Sequence, residues 1–162
     1  MDPGRRSFVF GRRAATPLRP PWSTDAAILA ACTGCGDCVT SCPAGIIEMG
    51  AGKYPEIRLD KAECTFCGRC AEVCRADVFD LARPPFRHKV AIGESCLSKV
   101  GTECRSCEDA CPEMAIRFRA RLGRPAEPVL RAEMCTGCGA CLAPCPVGAI
   151  QIAVAETEVV HA

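Results

Sequence analysis

Cys135-Thr136-Gly137-Cys138-Gly139-Ala140-Cys141-Leu142-Ala143-Pro144-Cys145-Pro146 decides how the rest of the chain is read. It is a C-x2-C-x2-C-x3-C-P run, the bacterial pattern of thiolate ligands to a [4Fe–4S] cluster. Three closely spaced cysteines grip three irons of one cube, and the fourth reaches a different cube. The short residues between them let the backbone wrap closely and turn N–H groups toward sulfur.

The run occurs four times. Cys32, Cys35, Cys38 and Cys42 are followed by Pro43. Cys64, Cys67, Cys70 and Cys74 are followed by Arg75, where the other runs have proline. The third run is stretched: Cys96, an insert over residues 97–103, then Cys104, Cys107, Cys111 and Pro112. First cysteines fall at positions 32, 64, 96 and 135, so a repeat with spacings of 32, 32 and 39 residues is visible. The chain has 16 cysteines in 162 residues, and these runs use every one.

Composition supports metal rather than an organic core. Aromatic residues make up 5% of the chain, too few to fill two small interiors with rings. Inorganic centres can replace that core and staple the loops. A disulfide framework needs an oxidising compartment, and cysteines in closely spaced threes are poor partners for one another. Zinc knuckles pair two C-x2-C steps and have no use for a third cysteine at the same interval. The formal net charge of +1 omits the clusters, each of which adds about two negative charges. Nothing in that balance points to nucleic acid.

A unit that lends its fourth cysteine to a neighbour cannot stand alone, so the units must pair. The sequence predicts an α+β fold of tandem ferredoxin-like modules, with short strands and helices around the clusters. A basic arm covers residues 1–22, the modules 23–82 and 83–155, and a tail 156–162. Ser23 or Thr24 caps a short helix through Asp25 and Ala26 to Ala31. Strands are expected at 46–49, 57–60, 78–81, 89–92, 116–119, 129–131 and 149–154. Residues 82–87, Ala-Arg-Pro-Pro-Phe-Arg, read as a linker.

Pairing of adjacent runs puts Cys32, Cys35, Cys38 and Cys74 on one cube, and Cys42, Cys64, Cys67 and Cys70 on its mate. It puts Cys96, Cys104, Cys107 and Cys145 on a third, and Cys111, Cys135, Cys138 and Cys141 on a fourth. A nested order, first run with last, uses the same ligands, and loop lengths do not separate the two. Adjacent units usually pack together, which favours the sequential order. Cubes held by four thiolates have no open iron and pass single electrons. His88 and His161 are far apart and read as surface residues. No catalytic grouping or phosphate loop accompanies them, so no enzyme is expected.

The arm carries Arg5, Arg6, Phe8, Phe10, Arg12 and Arg13, then Arg19-Pro20-Pro21-Trp22. Arg5-Arg6-Ser7-Phe8 has the outline of a twin-arginine export signal, but more arginines and prolines follow instead of an apolar stretch. Export is therefore not expected, nor a membrane-spanning helix. Rings on such an arm suit partner docking.

Several of these stretches resemble the NapF family of ferredoxin-type proteins. They are Arg5-Arg6-Ser7-Phe8-Val9-Phe10-Gly11, the Arg19 to Trp22 step, Cys64-Thr65-Phe66-Cys67-Gly68, Cys104-Arg105-Ser106-Cys107, Ala115-Ile116-Arg117-Phe118 and Cys135-Thr136-Gly137-Cys138-Gly139. The resemblance spans nearly the whole chain. It implies a cytoplasmic accessory protein with four [4Fe–4S] clusters, acting on the catalytic subunit of periplasmic nitrate reductase before that subunit is exported. It also implies a place outside the main quinol-to-nitrate electron route. A general soluble electron carrier is the alternative. Arg75 departs from the usual proline without removing a ligand.

Overall fold

The computed structural model describes residues 17–154. Arg5, Arg6, Phe8, Phe10 and His161 lie outside the described residues.

Helix α1 (Asp25–Ala31) begins where Thr24 Oγ1 accepts a hydrogen bond from the Ala27 amide at 3.1 Å. This satisfies one of the donors that a helix start leaves unpaired. Ile28 on its inner face is fully buried. Three single-turn helices follow, α2 (Asp37–Thr40), α3 (Arg69–Glu72) and α4 (Ser106–Asp109), one inside each of the first three cysteine runs. The fourth run makes turns there instead, closed by Leu142 N–H to Gly139 O at 2.9 Å.

All strand pairs are antiparallel. β1 (Ile47–Met49) and β2 (Pro55–Ile57) form a hairpin in which buried Ile47 faces buried Ile57. Gly52, at φ 69°, makes the reversal possible. β4 (Ile116–Arg121) and β5 (Arg124–Leu130) form the matching hairpin of the second module, turning at Gly123. β3 (His88–Ile92) and β6 (Ile150–Val154) pair along five positions, from His88↔Val154 to Ile92↔Ile150. The second module is thus closed by its own first and last strands.

The first module closes differently. The strand expected at 78–81 does not form, and only an isolated bridge joins Ser23 to Phe79. Its partner segment contains Pro17, Pro20 and Pro21, which have no N–H to donate to a ladder. What survives is Asp80 N–H to Trp22 O at 2.9 Å and Trp22 N–H to Pro85 O at 2.8 Å.

Those bonds redraw the edge of the arm. Pro20 and Pro21 are buried, Leu18 O accepts from the Ile57 amide at 2.9 Å, and Trp22 packs edge-on to Phe66. Residues 17–22 belong to the first module's body, and Trp22 is half-buried against it. The stretch read as a linker is likewise packed: Phe86 sits in the first module's core with Ile46, Ile47, Ile57 and Leu59. The second core gathers Val90, Ala115, Ile116 and Ile150 around Cys107, Cys135 and Cys141. Leu142 and Ile152 pack against both cores, so the modules share a boundary.

Candidate metal centres

Each single-turn helix carries the third cysteine of its run, and the fourth cysteine falls just past its end. Cys38 lies in α2 and Cys42 beyond it; Cys70 and Cys74 are related in this way by α3, and Cys107 and Cys111 by α4. A helical turn separates each pair by about 5.4 Å along the axis. That step delivers the two thiols to different cavities. Gly36 and Gly68, at φ 83° and 78°, permit the sharp entry into α2 and α3.

Four cavities result, each lined by four cysteines. The first holds Cys32, Cys35, Cys38 and Cys74. The second holds Cys42, Cys64, Cys67 and Cys70. The third holds Cys96, Cys104, Cys107 and Cys145, and the last Cys111, Cys135, Cys138 and Cys141. These are the sets of the sequential order; the nested order would have joined the first run to the fourth. The second, third and fourth cavities hold about 340, 340 and 320 Å³ of empty space each, counted out to their open mouths. The first opens to about 900 Å³ between Met49, Pro55, Val78 and Phe79, with exposed Cys35 and Arg75 at its mouth.

The thiols are crowded and poorly solvated. Burial pushes Cys38 up to about 11, and its neighbours Cys32, Cys35 and Cys74 push the same way. Burial likewise raises Cys64 and Cys107 to about 11, and Cys70 and Cys141 to about 12. Thiolates so placed are costly unless a bound cation offsets their charge. All sixteen cysteines are free of disulfides. Among the described residues no three His, Cys, Asp or Glu side chains converge as a single metal ion requires. A lone zinc needs sulfurs about 2.3 Å from one point. Thiols spread around a cavity suit a polynuclear centre, whose irons sit at its corners.

Other polar groups point to the same filling. Thr136 Oγ1, lining the last cavity, is buried with no hydrogen-bond partner. An orphaned hydroxyl of this kind is accounted for by an acceptor such as sulfide in the void. Amides of Ala115 and Ala149 already donate to Cys111 Sγ and Cys145 Sγ at 3.3 and 3.2 Å.

The insert of the third run is anchored, not loose. Ser98 is buried and its hydroxyl donates to Ala126 O on β5. Lys99 Nζ donates to Ile92 O at 3.0 Å. The insert thereby returns Cys96 to the cavity that holds Cys104 and Cys107.

His88 is not a surface residue. It is 5% exposed, stacks on Phe86 at 4.5 Å, and its Nε2 lies 2.9 Å from Gly137 O in the last ligand loop. A carbonyl only accepts, so Nε2 carries the proton and donates. Burial lowers the imidazole's affinity for a second proton. Sequence offers one faint sign of this, the Phe86-Arg87-His88 step with two large rings on alternate positions.

The 4Fe-4S dicluster domain family matches residues 31–78 and 102–149. The second match starts after Cys96, so the insert lies at its edge. Among curated proteins, the ferredoxin-type protein NapF of Haemophilus influenzae is 48% identical over 135 residues, covering 82% of this chain and 77% of that protein. The NapF of Escherichia coli K12 is 40% identical over 154 residues, covering 93% and 94%. The chain belongs to the NapF family of ferredoxin-type proteins. A component of an ion-translocating oxidoreductase complex from Methanosarcina acetivorans is 38% identical over 129 residues, but these are 46% of its length. NapF proteins match over most of their length, whereas the relation to that larger protein is confined to about half of it.

Proposed function

We propose that this NapF-family chain holds four [4Fe–4S] clusters, one in each cavity, with all sixteen cysteines as ligands in the four sets above. The observation that carries this is the sorting of sixteen thiols into four cavities of four. When bound, each cube takes up or releases one electron. The chain's part is to hold the thiolates and aim amides at sulfur; Cys35 of the first set and Cys67 of the second are the exposed ligands. No cysteine is left over for nucleophilic chemistry, and the reading assigns no catalytic residue.

Family membership supports a reading of the biological setting. The chain acts in the cytoplasm as an accessory factor, assisting the catalytic subunit of periplasmic nitrate reductase before its export. Residues 1–16, with Arg5, Arg6, Phe8 and Phe10, supply the docking arm; the modules supply the clusters. The second reading, a general electron carrier, is favoured by the open first cavity, whose Cys35 and Met49 reach the surface.

Two measurements test this. Anaerobically purified chain should contain about sixteen irons and as many acid-labile sulfides. Capture of the cluster-free nitrate reductase subunit should succeed with the full chain and fail after deletion of residues 1–16. The deletion stops there because Pro20, Pro21 and Trp22 are structural. Equal failure of both chains, with electron donation intact, would select the carrier.

A further inference from the structure

We propose that the backbone contact between Cys64 and Cys138 is an electronic junction that joins the two modules, linking the second centre to the fourth. The proposal rests on the four-cluster reading above. With residues 83–87 counted with the first module, where Phe86 packs, it is among the described residues the one main-chain hydrogen bond crossing from module to module: Cys64 N–H donates to Cys138 O at 2.8 Å. Both residues are assigned ligands, of different cubes. A path therefore runs through Sγ–Cβ–Cα–N–H on one side and O=C–Cα–Cβ–Sγ on the other, with no gap wider than a hydrogen bond.

The surroundings hold this contact shut. Gly139 packs so tightly that a Cβ there would stand 2.8 Å from Leu59 Cβ. A Cβ on Gly137 would stand 2.7 Å from His88 O. Both glycines have left-handed backbone, φ 89° and 78°, which side chains resist. His88 adds its bond to Gly137 O from the far side. Leu59 and His88 are positioning residues: neither is an assigned ligand; Leu59 packs on the Cys138 loop from the first module, and His88 holds that loop from within the second.

The step is a one-electron exchange. A reduced centre on one side loses an electron, an oxidised centre on the other gains it, and no bond or proton moves. The chain then works as a single four-centre conductor rather than as two ferredoxins on a string.

The test uses the full holoprotein, reduced with excess dithionite, and compares it with Leu59→Trp and Gly139→Val. These widen the junction from opposite sides without removing a ligand. Iron and sulfide content is measured first; loss of metal from the parent chain itself would refute the four-cluster reading rather than the junction. In the parent, electron paramagnetic resonance should show splittings that stay fixed in field between two microwave frequencies, as spin–spin coupling requires. Both variants should lose the second-to-fourth component, keep the couplings within each module, and exchange the Cys64 amide with deuterium faster. Spectra unchanged in both variants would overturn the proposal. So would a changed spectrum with Cys64 exchange unaltered, since the effect would then come from a distorted ligand loop.

Discussion

Thr136 shows how one side chain can tune a centre without binding it. Its hydroxyl has no partner in the protein and lines the fourth cavity. Donated to sulfide, that hydrogen bond favours the more negative, reduced cube. A bond of about 1 kcal/mol corresponds to about 40 mV for a one-electron couple. Thr136→Val should keep its iron and lower one of four midpoint potentials by that amount in a redox titration. Ser98 is a purely structural counterpart. Ser98→Ala strands the buried Ala126 carbonyl and should cost about 1–3 kcal/mol in chemical denaturation, with the cluster absorption unchanged. Neither role can be read from sequence. Thr33, Thr65 and Thr136 occupy equivalent places, yet among the described residues only Thr136 is a buried orphan. His88 eludes a sequence reading for a related reason, because its burial comes from Phe86 beside it and Gly137, which is 49 residues away.

At the scale of elements, the single-turn helices make an exacting claim about ligand exchange. Cys42 serves the cavity of the second run and Cys74 that of the first. Replacing Cys42 and Cys70 together should therefore cost one cube, about four irons, because both belong to one set. Replacing Cys38 and Cys42 together should cost two, although they are nearer in sequence. Iron analysis of the two double variants separates these outcomes. This much is legible in the cysteine spacing, because in the C-x2-C-x2-C-x3-C-P pattern the fourth thiol serves a different cube. The hairpins are legible as well, from Ile47 and Ile57 and from the alternation around Ile116 and Phe118. The strand at 78–81 is not, because pairing depends on both partners. Phe79 and Leu81 alternate suitably around Asp80, but the chain opposite is proline-rich and offers a single bridge.

Across the whole molecule, metal takes the place of a core. The buried apolar groups are mostly isoleucine, valine and alanine with the cysteines themselves. Stripping iron with a chelator should collapse near-ultraviolet and far-ultraviolet circular dichroism together, in one transition per module or fewer. The thiols give that equilibrium a pH dependence. In the metal-free fold Cys38, Cys64 and Cys107 sit near 11, and Cys70 and Cys141 near 12, above the ordinary value of 9.0. A raised value means that the neutral thiol is preferred; the metal-free fold keeps this stability below about 9 and loses it as pH climbs through 11 to 12. Iron binds thiolate, so loading expels those protons and strengthens as pH rises. Iron retained against a fixed chelator concentration should increase from about pH 6 to about pH 8 by the mass action of released protons.

The pairing of β3 with β6 bears on the moment of synthesis. All the ligands of the first two cavities, and the buried core through Phe86, leave the ribosome well before residues 150–154 exist, although Leu142 and Ile152 later add to that core. The second pair of cavities stays unsealed until the last strand arrives to meet Lys89 and Val90. Iron delivery to the newborn polypeptide thus has a built-in direction, amino end first, and nascent chains stalled with residue 92 just outside the ribosome should already be brown.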